Sequence, residues 1–232
     1  MSHPGKFSRT PILCYVTDRK SLASADNDQN HALLKHVANA AAAGVDWMQI
    51  REKDLSAKQL SSLTRDAVAQ TRQINERNGN ASRILVNDRL DVARSERAGG
   101  VHLGEHSLPV QDVCKWVDAK VDLHEHNRFL VGVSCHSVQA AMTAARGGAD
   151  YIFFGPVFAT PSKVQFGTPQ GLQRLAEACS GVSIPVLAIG GITFDNASDC
   201  VAAGTAGIAA IRLFQDADNL AALVNELRAK CV

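Results

Sequence analysis

The stretch AAAGVDWMQI, residues 41–50, carries two structural signals in succession. An alanine-rich run stops at Gly44, and a continuous apolar run begins shortly after it with Trp47 and Met48. Glycine just past a helix readily takes the left-handed backbone conformation that ends the helix. The run that follows does not alternate polar with apolar, and so reads as a strand covered on both faces. The same pattern returns in ARGGADYIFF (145–154) and, in degenerate form, in AAGTAGIAAI (202–211). A helix, a glycine and then a buried strand is the recurring joint of a βα repeat.

Working outward from these joints, β-rich runs occur at 11–17, 47–51, 83–87, 100–104, 129–134, 151–155, 185–190 and 207–212, eight in all. Helical periods lie between them. Leu33, Leu34, Val37, Ala40 and Ala41 form one apolar face, and Leu60, Leu63, Ala67, Val68 and Thr71 form another. Leu172, Leu175 and Ala176 continue the theme, and Leu220, Leu223, Val224 and Leu227 close it. No G-x-G-x-x-G follows the first run, which counts against an open dinucleotide-binding sheet. The expectation is an α/β fold, a single-domain (β/α)8 TIM barrel over residues 1–232, with 1–10 as a flexible N-terminal extension. That length suits one such barrel, typically about 250 residues. DAKVDLHEHNR, 118–128, reads as a charged loop.

With 24 Lys and Arg against 23 Asp and Glu, the net charge of +1 offers no basic field for nucleic acid or an anionic membrane. No apolar window is long enough to span a bilayer, and MSHPGKFSRT lacks the apolar core of a signal peptide. The six cysteines form no C-x-x-C pair, so free thiols in a reducing cytoplasm are expected.

Barrel chemistry belongs at the C-terminal ends of the strands. Gln49, Arg51, Glu52 and Lys53 follow the second run, and Asn87, Asp88 and Arg89 the third. Glu105, His106 and Ser107 follow the fourth, Ser134 and His136 the fifth, and Thr160, Ser162 and Lys163 the sixth. Gly190 and Gly191 follow the seventh, and Ile211 and Arg212 end the eighth. Arg51, Lys53, Arg89, Lys163 and Arg212 would make this rim cationic. The glycine pair, with a helix beginning near Asn196, suits a phosphate. The segment 156–167 is a candidate lid. His136 is placed for acid–base work or for a structural hydrogen bond. His102, between Val101 and Leu103, reads as a barrel-interior residue. His124 and His126 flank Glu125 without a third ligand at metal-site spacing.

Together QIREK (49–53), NDRLDVA (87–93), GVHLG (100–104), GVSCHS (132–137), ADYIFFGPVFATPSK (149–163) and AIGGIT (188–193) resemble the thiamine phosphate synthase family, which includes the thiazole tautomerases as a sister group. The resemblance spans roughly residues 10–230. It implies a (β/α)8 barrel that joins hydroxymethylpyrimidine diphosphate to hydroxyethylthiazole phosphate in thiamine biosynthesis, releasing diphosphate with Mg²⁺ as cofactor. It implies that Gln49, Arg51, Lys53 and Asn87 bind the pyrimidine diphosphate and that Asp88 holds the metal. Ser134 would face the pyrimidine. Thr160, Ser162 and Lys163 would form a phosphate loop, and Gly190, Gly191 and Ile211 would seat the thiazole phosphate. His136, Lys163 and Ser134 are the catalytic candidates.

Two positions depart from the family's pattern. Ser107 stands where a second metal-binding aspartate is usual, leaving Ser107 or Glu105 as the second ligand. Arg212 stands where serine is usual beside the thiazole phosphate. The departures keep two alternatives open. One is a thiazole tautomerase, a metal-independent isomerase acting through His136. The other is a non-catalytic binder of thiazole or thiamine phosphates. The expected partners are small phosphorylated pyrimidines and thiazoles, with homo-oligomerisation left open.

Overall fold

The computed structural model describes residues 10–22, 28–104, 107–119, 128–159 and 168–231. Eight parallel strands close into a barrel in sequence order. They are β1 (Ile12–Val16), β2 (Trp47–Ile50), β3 (Arg83–Asn87), β4 (Gly100–Leu103), β5 (Leu130–Cys135), β6 (Tyr151–Phe154), β7 (Val186–Ile189) and β8 (Gly207–Ala210). The helices are α1 (Gln29–Ala42), α2 (Ala57–Asn78), α3 (Leu90–Ser95), α4 (Val110–Asp118), α5 (Val138–Arg146), α6 (Gly171–Gly181), α7 (Ala197–Ala202), α8 (Arg212–Gln215) and α9 (Leu220–Lys230). Every expected strand is present, with ends shifted by a residue or two. The four-residue α8 is an addition that periodicity does not reveal. The charged-loop reading of 118–128 falls largely on residues outside the description, and Asp118 itself is the last residue of α4.

Local chemistry sets the helix ends. Asp28 caps α1 by accepting from the backbone of Asn30 and His31. Ser56 and Gln59 form a reciprocal capping box at the start of α2, which ends at Gly79 with φ +69°. The helix-to-strand joints share one geometry. After α1, the Gly44 N–H reaches Ala41 O and the Val45 N–H reaches Ala40 O. After α5, Gly148 and Ala149 bond back to Ala145 and Ala144, and after α7, Gly204 and Thr205 bond back to Val201 and Cys200. This pair of bonds needs positive φ at the first residue, supplied here by glycines at +84°, +95° and +100°. A fourth copy follows α3, where Arg97 takes the glycine's place at φ +53°.

Two apolar shells result. The larger lies between sheet and helices and includes Leu33, Met48, Leu63, Ile152, Leu175 and Phe214. The smaller fills the barrel with Cys14, Val16, Leu85, Tyr151, Phe153, Leu187 and Ala209. Burying each large side chain stabilises the fold by roughly 1.5–3 kcal/mol. All six cysteines are free thiols, and burial pushes Cys114 and Cys179 up to about 11 and Cys200 up to about 12.

At the N-terminal face, Asp46 accepts the Leu13 N–H at 2.8 Å and pairs with Arg228 at 3.1 Å. Asp150 accepts the Val131 N–H at 2.8 Å and pairs with Arg128 at 2.9 Å. The β1–β8 seam is closed by parallel pairing of Ile12 with Gly207 through Tyr15 with Ala210. Buried Gln215 supports it, accepting from the Tyr15 hydroxyl at 2.8 Å and donating to Asp18 O and Ser21 Oγ. No helix among the described residues is long and apolar enough to cross a membrane.

Candidate active site

At the C-terminal mouth, β2 and β3 set their polar residues side by side. Gln49 Nε2 donates to Asn87 Oδ1 at 3.2 Å, and Asn87 Nδ2 donates to Asp88 Oδ2 at 2.8 Å. The chain has one direction. The carboxylate can only accept, so Asn87 must donate to it and Gln49 must donate to Asn87. The Gln49 carbonyl oxygen is thereby presented as an acceptor. Asp88 adopts φ +60°, unusual outside glycine, and is held there by donors. Its Oδ1 accepts the Gly104 N–H at 2.9 Å and the Ser107 hydroxyl. Burial alone would raise the Asp88 pKa. The bonds from Ser107, Gly104 and Asn87, together with the charge of Lys53, outweigh burial and hold it below the ordinary aspartate value.

The expected cationic rim is sorted by its surroundings. Arg51 is half-buried, and its N–H donates to Thr17 Oγ1 at 3.0 Å. Lys53 is exposed and lines a cavity of about 250 Å³ with Ile50, Leu55, Leu60, Asn87 and Asp88. Arg89 lines the same cavity but pairs its guanidinium with Asp91, 2.8 Å from Nε to Oδ1. Arg212 is exposed at the start of α8. Glu52, between Arg51 and Lys53, turns inward. It accepts from Thr17 Oγ1 at 2.6 Å, from the Arg19 backbone at 3.2 Å and from Arg19 Nη1 at 3.1 Å. It anchors the loop that carries the two cations.

Ser134 lies on β5, where its Oγ is 2.9 Å from His102 Nε2. His136 places Nδ1 on the Gly155 carbonyl oxygen, which can only accept, so Nδ1 carries the proton and donates it. Opposite, Gly190 and Gly191 turn with φ +94° and +68°. A Cβ on Gly190 would lie 2.6 Å from Pro156 Cβ, and one on Gly191 2.7 Å from Phe158 Cβ. Only glycine lets the β6 and β7 loops approach this closely. The Asn196 side chain accepts the Thr193 N–H at 2.8 Å and donates to Gly191 O at 3.0 Å. The helix expected near Asn196 is α7, of six residues, so its dipole is small. Thr160, Ser162, Lys163, Glu105 and His106 lie outside the described residues, as do His124, Glu125 and His126 and the greater part, 160–167, of the candidate lid 156–167. Among the described residues, no cluster of three His, Cys, Asp or Glu side chains is placed to bind a metal.

The family model for thiamine monophosphate synthase matches residues 13–214. The chain belongs to this family. It is 41% identical over 189 residues to the thiamine-phosphate synthase of Methanoculleus marisnigri, covering 82% of this chain and 83% of that one. It is 38% identical over 186 residues to that of Chloroflexus aurantiacus, covering 80% and 79%. The thiamine phosphate pyrophosphorylase from Pyrococcus furiosus superposes with TM-score 0.76 at 28% identity, covering 96% of both chains. A 3-hexulose-6-phosphate synthase matches at TM-score 0.66 and 18% identity, which shows the fold alone.

Within this thiamine monophosphate synthase frame, sequence reasoning left two groups of residues unassigned to the site. Glu52 was among the strand-end residues, but its partners Thr17 and Arg19 are distant in sequence. His102 is interior, as expected, yet it touches Ser134 directly. Parity was the available signal. His102 pairs in register with Asn87 on one side and Gly132 on the other, so it shares an inward face with Asn87 and Ser134.

Proposed function

We propose that this chain joins hydroxymethylpyrimidine diphosphate to hydroxyethylthiazole phosphate and releases diphosphate. The observation that carries the reading is the Gln49–Asn87–Asp88 chain beside Lys53, set across the barrel mouth from the Gly190–Gly191 turn. β3 and β7 are four strands apart in the closed ring. Two anionic substrates seated at those ends would meet over the barrel centre, beside Ser134.

In this reading Arg51 and Lys53 bind the diphosphate, and Gln49 and Asn87 position its pyrimidine. Gly190, Gly191, Ile211 and Arg212 hold the thiazole phosphate, and Thr160, Ser162 and Lys163 supply further hydroxyl and ammonium donors to the anions. The bond between the pyrimidine methylene and the diphosphate oxygen breaks. The thiazole nitrogen then supplies the electron pair for the new carbon–nitrogen bond. Lys163 stabilises the departing charge, which is the main catalytic demand of this step. Asp88, kept anionic by its donors, fits a hard divalent cation that binds one protein carboxylate and completes its shell with water and substrate phosphate oxygens. Mg²⁺ bound there would neutralise charge on the leaving diphosphate.

The test is a coupling assay with both substrates, with and without Mg²⁺, following thiamine phosphate and diphosphate. Mg²⁺-dependent product, reduced by at least about a hundredfold in Asp88→Ala, supports the reading. Absence of coupling, with isomerisation of the carboxylated thiazole phosphate that is lost in His136→Asn, overturns it in favour of the tautomerase.

A further inference from the structure

We propose that His102, oriented by Tyr151, is a positioning residue that makes Ser134 a hydrogen-bond donor toward the substrate, so that the site selects a ring-nitrogen lone pair. The inference rests on the pyrimidine reading above only for what Ser134 meets; the polarity of Ser134 itself follows from the protein.

The three side chains share the inward face of neighbouring strands, with His102 and Tyr151 level with Gly132 and Ser134 one step nearer the mouth. His102 pairs in register with Gly132, Gly132 with Tyr151, and Ser134 with Phe153. Gly132 makes the arrangement fit, because a Cβ there would lie 2.0 Å from Tyr151 Cζ. Without it the phenol ring lies flat across β5 and its hydroxyl reaches His102 Nδ1 at 3.1 Å. On the other edge of the imidazole, Nε2 lies 2.9 Å from Ser134 Oγ. The Phe153 ring, 4.1 Å away between centroids, packs against the imidazole. Tyr151 and His102 are 1% and 2% exposed, so bulk water does not compete for these bonds.

Proton counting then decides the polarity. Burial holds the Tyr151 phenol far above its ordinary pKa, so it keeps its proton. If that proton is donated to Nδ1, the imidazole carries its own proton on Nε2 and donates it to Ser134 Oγ. If the imidazole is cationic, both nitrogens donate and Ser134 is again the acceptor. The remaining tautomer, with the proton on Nδ1 alone, would leave the buried phenol O–H without an acceptor among the described residues. That loss costs more than an ordinary hydrogen bond gains. Ser134 therefore accepts from His102, and its single proton is directed to the mouth. A donor there pairs with an aromatic ring nitrogen and disfavours an N–H at the same place.

The experiment is nitrogen-15 NMR of the histidine-labelled full chain, with calorimetric binding of hydroxymethylpyrimidine diphosphate. The expected spectrum shows His102 Nε2 protonated in the wild type, with Tyr151→Phe redistributing the tautomer. Tyr151→Phe and Ser134→Ala should each weaken binding by roughly five- to tenfold. The double variant should be no weaker than Ser134→Ala alone, because both changes remove one bond. His102→Gln, which keeps an N–H near the Nε2 position, should bind better than His102→Asn. An unprotonated Nε2 with a protonated Nδ1, or fully multiplicative losses in the double variant, would overturn the proposal. If coupling fails while Nε2 is protonated, the synthase reading falls and the donor polarity of Ser134 stands.

Discussion

Ser107 donates its hydroxyl to the same Asp88 oxygen that receives the Gly104 N–H. Ser107→Ala removes one donor and is expected to raise the Asp88 pKa toward the ordinary value. A depressed carboxylate pKa stabilises the fold above the unfolded-state value, and that stability is lost as pH falls through the folded value. The variant should therefore lose stability at a higher pH than the wild type. The neutral-pH cost should be about 1 kcal/mol, because solvent screens a partly exposed carboxylate. Carbon-13 titration of Asp88 and urea denaturation across acid pH measure both effects.

Ser107→Asp places a second carboxylate beside the first. Like charges this close destabilise the apo-protein, and a divalent cation relieves them. The melting temperature should fall without Mg²⁺ and recover with it, with a larger Mg²⁺ response than the wild type shows.

Glu52 and Arg19 form a buried pair beneath the loop that carries Arg51 and Lys53. Glu52→Ala removes the buried carboxylate from Arg19 and Thr17 and leaves the guanidinium only the half-exposed Asp54, at 2.6 Å. The expected cost is about 3 kcal/mol, the low end for breaking a buried ion pair. Urea denaturation gives the stability. Weaker binding of the pyrimidine diphosphate would show that the loop has loosened.

Arg97 is exposed and left-handed at φ +53° in a joint whose three other copies use glycine. Arg97→Gly removes backbone strain and is expected to stabilise the chain by about 1 kcal/mol. Gly44→Ala, at φ +84°, should destabilise by a similar amount. Opposite shifts of the denaturation midpoints check the pair.

Gly132→Ala drives a methyl group into the Tyr151 ring, at 2.0 Å from Cζ. Overpacking on this scale is expected to cost about 3 kcal/mol. A changed tyrosine near-ultraviolet circular dichroism signal would report displacement of the ring.

The barrel was legible in the sequence because its signals are local: glycine stops, continuous apolar strands and helical periods each act within a few residues. The joint at Arg97 lacks that glycine and so hides the fourth copy of the pattern. α8 has four residues, barely more than one helical turn, so no repeat of the period can show in it. Gln49, Asn87, Asp88 and Ser134 could be placed at the mouth because strand ends are countable. Their hydrogen bonds, the capture of Arg89 by Asp91 and the inward turn of Glu52 depend on register and on partners distant in sequence. His102 shows the difference: burial was readable from Val101 and Leu103, whereas its bridge between Tyr151 and Ser134 requires three strands in alignment.

The two aspartate latches at the N-terminal face, Asp46 under β1–β2 and Asp150 under β5–β6, stand half a circle apart with the same backbone bond and the same kind of arginine. The foundation of the barrel thus repeats after four strands, whereas its mouth does not. Gln49, Asn87, Asp88 and Ser134 stand on β2 to β5, and the glycine turn stands beyond β7. One ground plan, laid twice, supports two differently furnished halves, and substrate choice can be rewritten above it without disturbing the masonry below.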